Sequence, residues 1–250
     1  MAEAIRLGEI VEDRLLDGRL VLRQPKQGHR AGSDAILLAA ALPATFAGAL
    51  ADFGAGVGTV GLAAAILRPD LAVTLIEREP ELAALAAENT ALNELSDRAQ
   101  VVAADVAALA ASGLAPASFG CVAMNPPFFS AHEARPSPVA NRRVAHVADQ
   151  PLALWLKAAR RLLKPAGHVA IIHRTGALAD ILAGLATGFG AVAIRPVHAV
   201  ADRPAIRVIV TAEFGSRKPM ALLPGFVLNG PDGRFTELSE AVHRGRASLP

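Results

Sequence analysis

Short apolar segments alternate with longer helical segments along most of the chain. Almost continuously apolar runs of strand length occur at residues 49–53, 71–76, 99–103, 119–124 and 168–172. Apolar residues recur with helical spacing around and between these runs, at residues 35–41, 59–68, 80–93 and 151–163. Continuous apolar strands separated by helices are typical of a parallel sheet that helices cover on both faces. The pattern therefore predicts an α/β fold.

Two hairpins are predicted at the ends of this pattern. Residues 14–24 are expected to fold around an Asp17-Gly18 turn, because this dipeptide between alternating apolar positions is a strong hairpin signal. Near the other end, the runs at residues 191–198 and 206–213 are separated by a short loop and are expected to pair antiparallel. The second hairpin would place an antiparallel strand near one edge of an otherwise parallel sheet.

The composition excludes several classes of protein. With 250 residues, 52% of them apolar, the chain can bury a core and is not intrinsically disordered. The mean hydropathy of +0.37 reflects alanine, and the longest weakly polar stretch, residues 35–51, is interrupted by Pro43 and Gly48, so no membrane span is expected. Acidic residues near the start argue against a signal peptide, and the one cysteine, Cys121, excludes a disulfide framework. We expect a soluble cytoplasmic protein with no bound metal.

The charge is distributed unevenly along the chain. Residues 1–140 contain ten Lys or Arg and sixteen Asp or Glu, whereas residues 141–250 contain fifteen and seven. A basic half indicates a polyanionic partner, although ordinary scatter of surface charge is the alternative. On the helix predicted over 151–163, a solvated polar face is the usual explanation for Lys157, Arg160, Arg161 and Lys164. Better candidates for contacting a polyanion lie in the preceding loop, at Arg135, Arg142 and Arg143.

A glycine-rich segment follows the first strand of the predicted parallel sheet. It reads DFGAGVG, from Asp52 to Gly58, with glycine at every second place after Phe53. Ligands of such sheets bind beyond the carboxyl ends of the strands, and glycine lets the backbone turn sharply and approach a ligand closely. The dinucleotide fingerprint would need glycine where Thr59 stands, which weakens an NAD-linked oxidoreductase as an interpretation. The structural alternative is a tight strand–helix turn.

Acidic residues stand at the ends of three consecutive predicted strands. Glu77 follows the second strand and can accept hydrogen bonds from both hydroxyls of a ribose. Asp105 follows the third strand, where an acceptor can hold an adenine amine. Together with Asp52, these acids suit a positively charged cofactor better than a phosphate. Taken singly, Glu77 is also explained as an acid near the start of a helix.

The most specific signal follows the fourth strand, where the sequence reads Asn125-Pro126-Pro127-Phe128. The two prolines fix the backbone and supply carbonyl oxygens without competing donors. Asn125 offers an amide oxygen that can accept a hydrogen bond from an amine, and Phe128 offers a ring face for stacking. The alternative is a rigid exit turn with a phenylalanine in the core.

Together, the glycine turn, Glu77, Asp105 and the Asn125–Phe128 motif resemble the class I S-adenosylmethionine-dependent methyltransferases that methylate amines. The resemblance implies a Rossmann-like, seven-stranded sheet. It also implies that Asp52, Gly54 and Gly56 line the methionine side of S-adenosylmethionine, Glu77 the ribose and Asp105 the adenine. Asn125, Pro126, Pro127 and Phe128 would then hold the target amine, with Asn125 also bordering the cofactor.

A second segment makes the resemblance more specific. Residues 24–38, which read QPKQGHRAGSDAILL, look like the corresponding segment of bacterial tRNA (adenine-N6)-methyltransferases. Within it, Ser33 or Asp34 is expected to cap the following helix, while His29 and Arg30 are candidates for contacting a carboxylate or a phosphate. The resemblance implies an RNA partner, most simply a tRNA.

We expect one methyltransferase domain over residues 1–250. It would comprise an N-terminal hairpin extension at 1–28, a cofactor-binding core at 29–215, and a tail at 216–250 with a short helix from Thr236. A protein glutamine N5-methyltransferase also uses an Asn-Pro-Pro-aromatic motif and remains an alternative. A non-catalytic RNA-binding module on the same fold is another alternative, against which the intact motifs argue.

Overall fold

The computed structural model describes residues 7–27, 32–44, 46, 48–126 and 152–249. Within them the strands are β1 (Ile10–Leu15), β2 (Leu20–Pro25), β3 (Ala49–Phe53), β4 (Val73–Glu77), β5 (Ala99–Ala103), β6 (Phe119–Met124), β7 (Leu163–Arg174), β8 (Phe189–His198), β9 (Ala205–Phe214), β10 (Ala221–Leu222) and β11 (Phe226–Val227). The α-helices are α1 (Ser33–Ala40), α2 (Thr59–Leu67), α3 (Pro80–Leu92), α4 (Leu152–Leu162), α5 (Leu178–Leu185) and α6 (Glu237–His243). Short 3-10 helices span Val106–Ala111 and Thr175–Ala177.

The main sheet of the described residues has the strand order β10-β8-β9-β7-β6-β3-β4-β5, with β11 paired to β8. Strand β3 lies between β4 and β6 and is parallel to both. The chain runs outward from β3 through β4 to β5 and then returns to the other side of β3 as β6. The strand order therefore reverses between β3 and β6, which is where open α/β sheets bind their ligands.

The expected Rossmann-like arrangement is confirmed. Strand β9 is antiparallel to both β7 and β8, as predicted for the second hairpin. The seven strands from β8 to β5 form the expected sheet, and β10 and β11 extend it by two strands of two residues each. The sequence did not predict these two strands because two residues are too few to show an apolar period.

Helices cover both faces of the sheet. One apolar layer joins α1, α2 and α3 to inward-facing residues such as Leu50 and Leu75. The other joins α4, α5 and the 3-10 helix Val106–Ala111 to residues of the opposite face, including Phe53 and Ile171. Successive residues of a strand point to opposite faces, so Asp52 shares the face of Leu50, whereas Phe53 faces α4.

The N-terminal hairpin packs on the first of these layers. Its strands β1 and β2 pair antiparallel, and they begin and end further out than the sequence predicted. The turn includes Asp17 and Gly18, both with positive φ, as expected of this dipeptide. The tail returns to the same place, because the Arg19 guanidinium donates to the carbonyl oxygens of Arg244 and Gly245, each at 3.0 Å. Helix α6 begins after Thr236, next to the predicted start, and the Thr236 hydroxyl caps it.

Two local predictions are corrected by the structure. Strand β7 starts at Leu163 rather than His168, because Leu163 already pairs with Phe119 and the next four residues bulge out before His168 pairs with Cys121. Helix α1 is capped by the backbone of Gly32, not by a Ser33 or Asp34 side chain. The Asp34 carboxylate instead accepts a hydrogen bond from Arg207 at 2.8 Å.

Candidate active site

Strand register brings the predicted site residues to one level at the reversal point. Phe53 pairs with Ile76 on β4 and with Met124 on β6. The next residue of each strand is therefore Gly54, Glu77 or Asn125, and the three stand side by side. Neighbouring strands are about 4.8 Å apart, so these residues lie close together at the carboxyl end of the sheet.

The glycine turn has the backbone that its sequence requires. Gly54, Gly56 and Gly58 have φ of +64°, +56° and +93°, a region that only glycine adopts without strain. A Cβ on Gly54 would lie 2.6 Å from the Trp155 ring, whereas a Cβ on Gly56 would meet nothing within 4 Å. Gly54 thus closes against α4, and Gly56 borders open space where a ligand can approach the backbone.

The Asp52 carboxylate lies beneath this turn. Its side chain is buried, and its Oδ2 accepts a hydrogen bond of 2.9 Å from the backbone N–H of Gly61 in α2. Burial raises the pKa of Asp52 to about 7, the Gly61 N–H opposes this rise, and the charge of Glu77 adds to it. Asp52 therefore fixes the start of α2 and places a titratable charge under the glycine turn.

Both oxygens of the Glu77 carboxylate accept hydrogen bonds from the backbone. Oε2 accepts from the N–H of Gly56 at 2.8 Å, and Oε1 accepts from the N–H of Glu79 at 2.9 Å. Burial raises the pKa of Glu77, and the backbone N–H groups around it oppose this rise. Each carboxylate oxygen has a second lone pair, so Glu77 can also accept from ligand hydroxyls while holding the turn.

Asp105 lies two residues beyond the end of β5. Its Oδ1 accepts from the N–H of Ala107 at 2.8 Å and caps the 3-10 helix, and its Oδ2 lies 3.8 Å from the Arg78 guanidinium. Arg78 also donates to the Glu79 carboxylate at 3.2 Å. Arg78 was not among the predicted site residues, yet it links the strand ends that carry Glu77 and Asp105. Its only sequence signal is its position directly after Glu77.

Asn125 carries a buried polar atom that needs a partner. Its Oδ1 is buried and accepts no hydrogen bond from any residue that the structure describes. Buried polar atoms in proteins are nearly always paired, so this oxygen is available to a ligand donor. Pro126 follows it and is buried. Pro127 and Phe128 lie outside the described residues.

The basic residues of α4 contribute to the fold. Arg160 donates to the carbonyl oxygens of Gly184 and Thr187, and Arg161 donates to that of Leu109. These contacts anchor α4 to the ends of neighbouring elements. The sequence pattern had indicated only a solvated polar face for Arg160 and Arg161. The other candidates for contacting a polyanion or a carboxylate are outside the described residues, namely His29, Arg30, Arg135, Arg142 and Arg143.

The described part of the chain has neither a metal-binding cluster nor a membrane-spanning helix, and its cysteine is unreactive. No group of three or more His, Cys, Asp or Glu residues there is arranged to hold a metal. No described helix is long and apolar enough to span a membrane. Cys121 is buried, and burial raises the pKa of its thiol to about 12, so it is not a nucleophile.

A mostly parallel sheet with a glycine turn, acids and a polar amide at the carboxyl ends of its strands is the site expected of an S-adenosylmethionine-dependent methyltransferase. Residues 30–195 match the model of the methyltransferase small domain family, and the chain belongs to that family. The site fits S-adenosylmethionine, since Gly56 borders open space and Glu77 retains acceptor capacity beside it. The buried acids also suit the positive charge of the cofactor.

Individual relatives agree with this class. The chain is 28% identical over 211 residues to the tRNA1(Val) (adenine(37)-N6)-methyltransferase of Aeromonas hydrophila, covering 83% of this chain and 86% of that one. It is 28% identical over 160 residues to the protein of the same name from Shewanella halifaxensis, covering 64% of each.

Solved structures have the same fold. A protein from Agrobacterium tumefaciens described as a predicted O-methyltransferase superposes with a TM-score of 0.73 at 28% identity, covering 86% of this chain and 98% of that one. An S-adenosylmethionine-dependent O-methyltransferase from Thermotoga maritima superposes with a TM-score of 0.53 at 16% identity, covering 77% of this chain and 68% of that one. The second likeness shows the fold alone.

Proposed function

We propose that this methyltransferase methylates an exocyclic amine, namely the N6 amine of an adenine in tRNA. The observation that carries the proposal is the buried Oδ1 of Asn125 beside the glycine turn, which has no hydrogen-bond partner among the residues that the structure describes. An amide oxygen accepts hydrogen bonds, which suits an NH2 group. A hydroxyl substrate has one hydrogen and must lose it as methylation proceeds, so a nearby base would help it more. A methylated amine is first formed as a cation and releases its proton to solvent afterwards, so it needs no strong base.

The proposal gives a role to each of the residues at the carboxyl ends of the strands. Asp52, Gly54 and Gly56 border the methionine part of S-adenosylmethionine, Glu77 accepts from the ribose hydroxyls, and Asp105 accepts from the adenine amine. Arg78 supports this set through its contacts with Asp105 and Glu79. When bound, the cofactor supplies an electrophilic methyl group on a positively charged sulfur.

The chain's own residues prepare the amine. The lone pair of an aromatic amine is delocalised into its ring, which makes it a poor nucleophile. Hydrogen bonds from its two hydrogens to the Asn125 Oδ1 and the Pro126 carbonyl oxygen favour a pyramidal nitrogen with a localised lone pair. Orientation of this kind can lower a reaction barrier by about 7–11 kcal/mol. Phe128 would stack on the base, which must be unpaired or flipped out to enter.

Two observations support a tRNA target. Both curated relatives are named for adenine-N6 methylation of a tRNA, and they are similar to this chain over most of its length. The basic balance of residues 141–250 suits a polyanion. The contact between protein and RNA would weaken with added salt, because each phosphate contact releases counterions.

The test is mass spectrometry of nucleosides from tRNA incubated with the protein and S-adenosylmethionine. We expect N6-methyladenosine with the wild type and none with Asn125→Ala, whose cofactor affinity by calorimetry should stay close to that of the wild type. Glu77→Ala is the matched variant and should lose cofactor affinity first. Equal loss of cofactor affinity in both variants would remove the proposed role of Asn125.

Other outcomes would overturn the target. A methyl label that resists nuclease and is released by protease would show a protein amide as substrate, as in the glutamine N5-methyltransferases. No transfer to RNA or protein, combined with no binding of S-adenosylmethionine, would favour a non-catalytic RNA-binding module.

A further inference from the structure

Asn89 in α3 and Asn93, which caps the C-terminus of α3, pair with the free edge of the N-terminal hairpin. In β2, Val21 and Arg23 turn their N–H and C=O groups away from β1. The Asn93 carboxamide accepts from the Val21 N–H at 2.8 Å and donates to the Val21 carbonyl at 2.7 Å. Asn89 does the same at Arg23, at 2.8 and 2.9 Å. Each carboxamide thus replaces the peptide group of a neighbouring strand.

The spacing of the two asparagines makes this pairing possible. Residues four apart on a helix are separated by about 6 Å along its axis. Residues two apart on a strand are separated by about 6.6 Å. The match lets α3 close an edge that would otherwise expose unpaired backbone groups.

Asn89 makes one further contact that Asn93 does not make. Its Nδ2 also donates to the carbonyl oxygen of Val57 at 3.0 Å, within the glycine turn, while Asn93 donates its other hydrogen to the carbonyl of Asn89 itself. The Asn89 side chain is completely buried. Val57 directly follows Gly56, whose N–H holds the Glu77 carboxylate at 2.8 Å. One carboxamide therefore joins the hairpin to the turn that carries the cofactor site.

We propose that Asn89 is a positioning residue for S-adenosylmethionine. It fixes the Val57 carbonyl, and through the adjoining peptide it orients the Gly56 N–H toward Glu77. Asn89 also links the hairpin to the glycine turn. The hairpin supplies no residue to the site, but through this link it would contribute to cofactor affinity. The inference rests on the cofactor of the family and holds whichever amine is methylated.

Asn89→Ala and Asn93→Ala form a matched pair for the test. Each substitution removes three hydrogen bonds, two of them to the hairpin, but only Asn89→Ala releases the glycine turn. Calorimetric titration with S-adenosylhomocysteine, below the melting temperature of each variant, gives the Kd. We expect Asn89→Ala to raise Kd at least tenfold and Asn93→Ala to change it less than twofold. Equal changes in both variants, or an unchanged Kd for Asn89→Ala, would overturn the proposal.

A purely structural role would lower the melting temperature of both variants and leave both affinities intact. Should Asn89→Ala not fold, Asn89→Ser is titrated against the same thresholds, and hydrogen exchange of the wild type gives a second readout. Because coupling between two sites is reciprocal, S-adenosylhomocysteine should slow exchange at Arg23 in the wild type. Unchanged exchange there would contradict the link. A wild type that binds no cofactor would instead refute the cofactor assignment.

Discussion

A methyl group added at Gly54 would collide with the ring of Trp155. In Gly54→Ala the new Cβ would lie 2.6 Å from the tip of the Trp155 ring. That ring is buried and packs edge-on against Phe53, with ring centroids 6.4 Å apart. A contact below 3.0 Å cannot be kept, so either the ring or the glycine turn must move.

The loss of stability has two parts, and Gly56→Ala separates them. Both glycines have positive φ, +64° and +56°, which costs alanine about 1–2 kcal/mol. Overpacking against a buried ring adds about 1–3 kcal/mol, and it applies only to Gly54, since a Cβ on Gly56 meets nothing within 4 Å. We therefore expect Gly54→Ala to lower the free energy of unfolding by about 2–5 kcal/mol and Gly56→Ala by about 1–2 kcal/mol.

Urea denaturation with linear extrapolation measures the two losses. Trp155→Leu serves as the control background, because a smaller side chain leaves room for the new methyl group. Gly54→Ala should cost about 1–3 kcal/mol less there than in the wild type, whereas Gly56→Ala should cost the same in both. Equal losses for the two glycine variants in the wild type would refute the reasoning.

Two further predictions concern the acid beneath the turn and a basic side chain of α4. Since the pKa of Asp52 is raised by burial to about 7, the folded state holds its proton to higher pH than the unfolded state. Stability should therefore fall as pH rises from about 4 to about 7 and level off above, and Asp52→Asn should lack this part of the slope in denaturation curves. Arg160→Ala, which removes two hydrogen bonds to carbonyls, should lower the free energy of unfolding by about 1–3 kcal/mol. The exposed Lys157 of the same helix is its control: Lys157→Ala should change stability little, and equal losses would contradict the anchoring role.

The sheet and the edge that carries the site were predictable from the sequence for a physical reason. A strand buried on both faces is mostly apolar, so a short and predominantly apolar run indicates where such a strand lies. The runs ending at Phe53 and Met124 have the bounds of the observed β3 and β6. Parallel strands in register then bring their ends together without any knowledge of long-range contacts.

Contacts between distant segments were not predictable in this way. Nothing in the sequence indicates that the Trp155 ring packs against Gly54, about a hundred residues earlier in the chain. The bonds from Asn89 to Arg23 span 66 residues, and asparagine in a helix carries no periodic signal. Such contacts depend on how the N-terminal hairpin packs against α3, which the local sequence pattern does not reveal.

Electrostatics explains why the acids and the glycines occur together at this edge. Asp52 and Glu77 are buried carboxylates with raised pKa values, and the charge of Glu77 contributes to the rise at Asp52. Backbone N–H groups offset part of that rise, and the N–H of Gly56 reaches Glu77 because the turn bends with positive φ at that glycine. Gly56, whose N–H contacts Glu77, borders open space. We expect a cationic ligand with hydroxyl donors to bind here more favourably than an anionic ligand, because its charge would offset that of the acids. This expectation agrees with S-adenosylmethionine as the cofactor.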